Sequence, residues 1–266
     1  MASGGTSGND HPNGANEESP QLNPRTVDAA ADSSGVAAAV LPERLVVRLL
    51  VVLTAAAGSL DMVCVTKLGG LYASVVTGNL VQLARGIATV DGRFALAATT
   101  AVGCYGLGVA AGSAGVGFRT VGWRRRTSLI AAAELALLGC VAAGWAATGG
   151  RPDASITLLL LALATSAMGV QSALTISSGP RGSSTTYLTG TLTHLVRNLT
   201  SKPHRSAVAF GGARLAALLC GAVACAVLLQ VVPLWAPALP VVLVGAVMVI
   251  AATRPALASG SLHPEV

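Results

Sequence analysis

Charge is what this sequence has least of. Asp, Glu, Lys and Arg together make up 11% of its 266 residues, whereas soluble globular chains carry about 25%. So few charges cannot cover the surface of a soluble enzyme of this length, which removes that class at the outset. Aromatics are few as well, at 3%, and only Lys67 and Lys202 are lysine. Cysteine offers no redox or metal frame: Cys64, Cys104, Cys140, Cys220 and Cys225 form no C-x-x-C pair and fall in apolar stretches, where a thiol packs as a small hydrophobe. Catalytic signatures are missing too, with no G-x-S-x-G, no H-E-x-x-H, no Walker loop and no Gly-rich dinucleotide turn. The expectation is a protein that is not an enzyme and that takes no cofactor and no metal.

What is present is apolar residue in long runs, 53% of the chain, together with 31 glycines. A helix needs roughly 20 apolar residues to cross about 30 Å of hydrocarbon. Six such spans are predicted, at about 45–66, 94–116, 128–148, 155–177, 207–232 and 235–253, the last two joined by an elbow at Pro233, Pro237 and Pro240. Residues 1–42 are polar and rich in Gly, Ser and Asn, which predicts a disordered tail without the basic start and apolar core of a secretory signal. Residues 43–254 form the transmembrane domain, and 255–266 a short C-terminal tail.

Two segments are too polar for ordinary spans and too apolar for ordinary loops, Gly69–Ala88 and Ser183–Thr200. They are related: Thr77-Gly78-Asn79-Leu80-Val81-Gln82-Leu83-Ala84-Arg85 aligns with Thr189-Gly190-Thr191-Leu192-Thr193-His194-Leu195-Val196-Arg197, sharing Thr, Gly, both Leu and the Arg. Each follows a span with a polar-tipped end, Gly58-Ser59-Leu60-Asp61 or Gly169-Val170-Gln171-Ser172. The unit of span, motif segment, span, span therefore occurs twice, as repeat one (about 45–148) and repeat two (about 155–253). An odd number of spans per unit inverts the second unit in the bilayer.

Loop charges fit this arrangement with both termini cytoplasmic. Arg44, Arg48, Arg119, Arg124, Arg125, Arg126, Arg181, Arg197, Lys202, Arg205 and Arg254 then lie inside, and only Lys67, Arg85, Arg93 and Arg151 outside. The net charge of +6 thus reads as membrane orientation and not as a nucleic-acid surface. A seventh span through the first motif segment is the alternative. Trp123, Trp145 and Trp235, near span ends, read as an interfacial belt.

Gly69-Gly70 and Gly179-Pro180 break the chain before each motif helix, and Thr77 or Thr189 could cap the helix that restarts. Two such half-helices meeting near the midplane would line a pore or binding site with Asp61, Thr77, Gly78, Asn79, Gln82, Gln171, Thr189, Gly190, Thr191 and His194. The competing reading is close helix packing through small residues. Glu134 and Arg214 are ionisable groups inside spans at similar expected depth, and an intramembrane ion pair between them is predicted. His194 alone, without a second ligand at metal spacing, does not predict a metal site.

These motifs resemble the YoaK family, bacterial inner-membrane proteins built on a domain of unknown function. The likeness rests on Asp61, Leu68-Gly69-Gly70, Thr77-Gly78-Asn79-Leu80-Val81, Gly169-Val170-Gln171-Ser172-Ala173 and Thr186-Tyr187-Leu188-Thr189-Gly190-Thr191-Leu192, and covers about 45–253. It implies a multi-span plasma-membrane protein and no established activity. The chain departs from the family at Ser172, where Asn is usual, and at Ser74-Val75-Val76, where Ala-Asn-Met is usual. The expected fold is all-α, six transmembrane helices in two inverted three-helix repeats, each with a short Thr-Gly motif helix. The expected function is a small transporter or channel in the bacterial plasma membrane, with a non-transporting scaffold or accessory subunit as the alternative. Expected partners are the lipid bilayer, a small solute or ion and a further copy of the chain, with no nucleic acid.

Overall fold

The computed structural model describes residues 41–116, 123, 125–179, 188–200 and 205–253. The tails, most of the basic loop after the second span, the Gly179-Pro180 break beyond Gly179 and the Thr186-Tyr187 motif lie outside the described residues. Among those described every regular element is α-helical: α1 (Glu43–Lys67), α2 (Val76–Ala88), α3 (Gly92–Val116), α4 (Arg125–Ala147), α5 (Ala154–Ser178), α6 (Leu188–Thr200), α7 (Arg205–Val231) and α8 (Ala238–Thr253).

Five of these, α1, α3, α4, α5 and α7, are long and apolar enough to cross a bilayer and coincide with the first five predicted spans. The sixth, expected over 235–253, is shorter. Residues 233–237 are a turn, and α8 has 16 residues. The prolines explain the difference: Pro233 and Pro237 hold the elbow out of helix, while Pro240 sits in the first turn of α8, where its missing N–H costs nothing. The motif helices α2 and α6 have 13 residues each, a rise of about 20 Å, too short to span alone.

Small residues decide how the long helices meet. A Cβ added at Gly58 would lie 2.3 Å from the Leu218 carbonyl oxygen, and one at Gly221 2.1 Å from that of Ala55. On the other side of the molecule, Cβ atoms at Gly169 and Gly108 would each lie 2.2 Å from the carbonyl oxygens of Tyr105 and Ser166. Backbone touches backbone at both crossings, which only glycine permits.

The two crossings are the same crossing twice. Ala55 and Gly58 stand in α1 as Ser166 and Gly169 stand in α5, and Tyr105 and Gly108 in α3 as Leu218 and Gly221 in α7. The helix pairings follow the same rule: exchanging α1 with α5, α2 with α6, α3 with α7 and α4 with α8 converts α1·α7 into α3·α5, α1·α8 into α4·α5 and α2·α3 into α6·α7. It leaves α1·α5 and α4·α8 as themselves, and the slight α3·α4 contact alone has no mate of similar extent. Within the α3·α5 contact Gly112 lies against Val170 and Ala173, so these helices run in the same direction.

The interior is aliphatic, with Leu50, Leu53, Leu60, Leu138, Leu161, Leu174 and Val244 fully buried. Outer faces are aliphatic too, with Leu107, Leu219, Val223, Val227, Val242 and Val249 exposed. An apolar shell around an apolar core suits lipid and not water. Two tryptophans expected at the interface instead turn inward. The Trp145 indole N–H donates to the Pro233 carbonyl at 3.0 Å, stapling the end of α4 to the α7–α8 elbow, and that of Trp123 donates to the Ser128 hydroxyl at 3.1 Å. Trp235 remains exposed. Of the cysteines, Cys64 and Cys225 are buried as expected, whereas Cys140 and Cys220 are exposed on apolar outer faces.

Candidate functional site: the Asp61 clasp and the inter-repeat polar contacts

The break between α1 and α2 is the most elaborate non-helical stretch among the described residues. The Leu68 N–H closes α1 on the Cys64 carbonyl at 3.0 Å. Gly69 and Gly70 then take φ of +91° and +77°, the left-handed region open to glycine, and turn the chain back. Leu71 and Ala73, both fully buried, anchor the returning segment.

Two side chains satisfy its polar backbone. Asp61 accepts from the Ser74 N–H at 2.8 Å and from the Ser74 hydroxyl at 2.5 Å, one bond to each carboxylate oxygen. Asn79 grips Tyr72 by both ends of its amide: Oδ1 accepts from the Tyr72 N–H at 2.9 Å, and Nδ2 donates to the Tyr72 carbonyl at 2.7 Å. Non-helical backbone at membrane depth needs such internal partners. Asp61 and Asn79, expected to face a pore, therefore hold the re-entrant segment in place, and both are buried.

The motif helix also starts differently from expectation. Val75 occupies the cap position without a side-chain bond, so Thr77 lies inside α2 and caps nothing. Thr189 likewise is the second residue of α6. Thr77, Thr189, Gly190 and His194 are exposed, while Gly78, Gln82 and Thr191 are half-buried. The Tyr72 ring packs 3.4 Å from the Cβ position of Gly78, and the Thr191 methyl 3.3 Å from that of Gly211 in α7. α2 lies along α3 and α6 along α7, and the two do not pack extensively against each other. The structure thus brings Asp61 and Asn79 together and leaves the α6 residues on the opposite flank.

Between the repeats, Gln171 is fully buried and its Nε2 donates to the Leu53 carbonyl at 3.0 Å, tying α5 to α1. The Tyr105 hydroxyl donates to the Ser172 hydroxyl at 2.8 Å, and that of Ser166 to the Cys104 carbonyl at 3.3 Å, tying α3 to α5. Ser172 follows the crossing glycine Gly169 of α5 by three residues, as Asp61 follows Gly58 of α1. Sequence reading missed Ser74, Tyr72 and Tyr105. The available signal was the unusual Ser74-Val75-Val76, whose serine completes the clasp.

Glu134 and Arg214 are both buried, as expected of ionisable groups in spans, but the structure does not pair them. α4 packs on α5 and α8, whereas α7 packs on α1 and α6, so equal depth does not bring the two side chains together. Arg214 lies over the Phe210 ring, 5.5 Å from its centroid. Among the described residues neither Glu134 oxygen has a hydrogen-bond partner.

An all-helical chain with five long apolar helices, backbone-to-backbone crossings and an aliphatic outer face is compatible with a multi-pass membrane protein. It belongs to the family described as "Protein of unknown function (DUF1275)", which matches residues 49–250 and so takes in nearly all the described helices. No curated protein and no solved structure matches it.

Proposed function

We propose that this chain is a small transporter or channel of the bacterial plasma membrane, with no enzymatic activity, in which α1–α4 and α5–α8 form inverted units that cross the bilayer six times. Within its family the motifs around Thr77-Gly78 and Thr189-Gly190 align it with the YoaK proteins. The observation that carries the reading is the exchange rule among helix contacts, above all the duplicated Gly58–Gly221 and Gly169–Gly108 crossings. Inverted repeats of this kind support alternating access, with one repeat rocking against the other around a site between them. The inter-repeat polar contacts at Gln171 and Ser172 lie where such a site forms, and a small solute or ion is the cargo.

The test is topological first. In a variant lacking the five native cysteines, single cysteines at exposed Thr89 and His194 are labelled with a membrane-impermeant thiol reagent in intact cells and in inverted vesicles. Labelling of the two from opposite faces is expected, and labelling from the same face ends the inverted-repeat reading. Purified protein in liposomes containing a pH-sensitive dye then reports proton flux driven by an imposed membrane potential. A second chain co-purifying in fixed ratio, with no flux, turns the function to a scaffold.

A further inference from the structure

The two helix contacts that the exchange leaves unchanged, α1·α5 and α4·α8, must lie on the axis relating the repeats. Glu134 belongs to the second. It stands in the buried stripe of α4 formed by Thr127, Ala131, Glu134, Leu138, Val141 and Trp145. Its neighbour Leu135 reaches the Cβ position of Gly245 at 4.0 Å, so Glu134 stands on α4 at the level where α4 meets α8. Gly144 meets Leu160 on antiparallel α5, so Glu134, ten residues earlier, lies about level with Gln171. That is close to the middle of α4.

Among the described residues nothing ionic faces it. α8 carries no ionisable residue along its length, and neither does α5, whose capping Asp153 is at the far end. On α3 the ionisable residues are Arg93 in the first turn, Cys104, and Tyr105, whose hydroxyl is bonded to Ser172. On α4 itself Arg125 and Arg126 occupy the first turn, and Cys140 is exposed. Arg214 belongs to α7, which does not pack extensively on α4. A carboxylate buried without a cation or donor is far costlier than a neutral acid.

We infer that Glu134 is a proton-binding site on the repeat axis, neutral in the packed state seen here and able to release its proton only when the α4–α8 contact opens to water. α8 carries no acidic residue along its length, so this contact holds one proton per chain. Its use as a coupling site deepens the transport reading and rests on it, whereas the protonation itself does not.

The test uses the full-length protein in lipid at pH 7.5, with glutamate either of natural abundance or ¹³C-labelled at the carboxyl. The other glutamates, Glu17, Glu18, Glu43 and Glu265, all lie outside the spans or at a span's first residue. The infrared spectrum is expected to show a protonated-carboxyl band that shifts with the label and is lost in Glu134→Gln. Should Glu134→Gln not fold, the isotope shift in the native chain carries the test by itself. A folded, labelled protein without an isotope-sensitive protonated-carboxyl band overturns the inference. A band without proton flux in liposomes leaves the site standing and removes its role in coupling.

Discussion

Gly169→Ala tests the packing argument with a single carbon atom. The new Cβ would sit 2.2 Å from the Tyr105 carbonyl oxygen, 2.8 Å from the Val109 nitrogen and 3.0 Å from the Gly108 Cα, all of them backbone. No rotamer change relieves that clash, so α3 and α5 must separate by about 1 Å, which forfeits a quarter to a half of the dispersion well at each contact they share. Overpacking of this kind costs about 1–3 kcal/mol. The assay is thermal unfolding of purified protein in detergent, where each kcal/mol lowers Tm by about 2–4 °C for a chain of this size. Gly108→Ala, Gly58→Ala and Gly221→Ala meet backbone at the same distances to within 0.2 Å and should fall by similar amounts. Gly106→Ala, in the same helix as Gly108 with nothing within 4 Å of its Cβ, is the control. It should match the native Tm or exceed it, since alanine is the better helix former by about 0.5–1 kcal/mol. A Gly169→Ala protein as stable as Gly106→Ala would refute the close-crossing argument, and a large gap between Gly58→Ala and Gly169→Ala would refute the equivalence of the two crossings.

Three further outcomes are expected. Asn79→Leu strips both hydrogen bonds from the Tyr72 backbone and leaves a part-buried N–H and C=O without them, at up to about 1–3 kcal/mol each; the check is a lowered Tm together with faster amide exchange at Tyr72. Val90, with φ of +55° and a 90% exposed side chain, strains the α2–α3 turn without packing on anything. Val90→Gly should therefore raise Tm, by the equivalent of about 1 kcal/mol, and a lowered Tm counts against this. Trp145→Phe keeps the buried ring but loses the bond to the Pro233 carbonyl, for about 0.5–1.5 kcal/mol, read as a smaller Tm loss than that of Trp145→Ala.

Helix positions were the most legible part of the sequence, because long apolar runs state their own boundaries. Where those boundaries failed, prolines were the cause: Pro237 delays α8 although Trp235 and Ala236 continue the apolar run. The internal repeat was legible in the Thr-Gly motifs, but the residues that express it most directly were not those. They are Gly58, Gly108, Gly169 and Gly221, which composition presents only as four of 31 glycines. The site was less legible for a physical reason. A polar side chain in a membrane segment either faces water or finds a partner, and sequence alone gives no partner. Asp61 and Asn79 found theirs in backbone seven to thirteen residues away, supplied by a turn that the Gly69-Gly70 pair allows. Glu134 and Arg214 illustrate the converse. Matching depth suggested a pair, but depth fixes one coordinate, and the other two depend on which helices are neighbours.

The shortness of α8 matters most once the surrounding lipid is considered. Its 16 residues rise about 24 Å, against a hydrocarbon thickness of about 30 Å. Tilting makes such a mismatch worse, and the Trp145 staple pins the helix start against α4. If α8 is the sixth span of the proposed arrangement, thinning of the bilayer is expected where it meets the exposed Val242, Val249 and Ile250. In that arrangement headgroups and water come closer to the α4–α8 contact, beside which Glu134 stands. On the proposed reading, lengthening α8 by one turn, or thickening the bilayer, is expected to slow exchange at the Glu134 carboxyl without touching it.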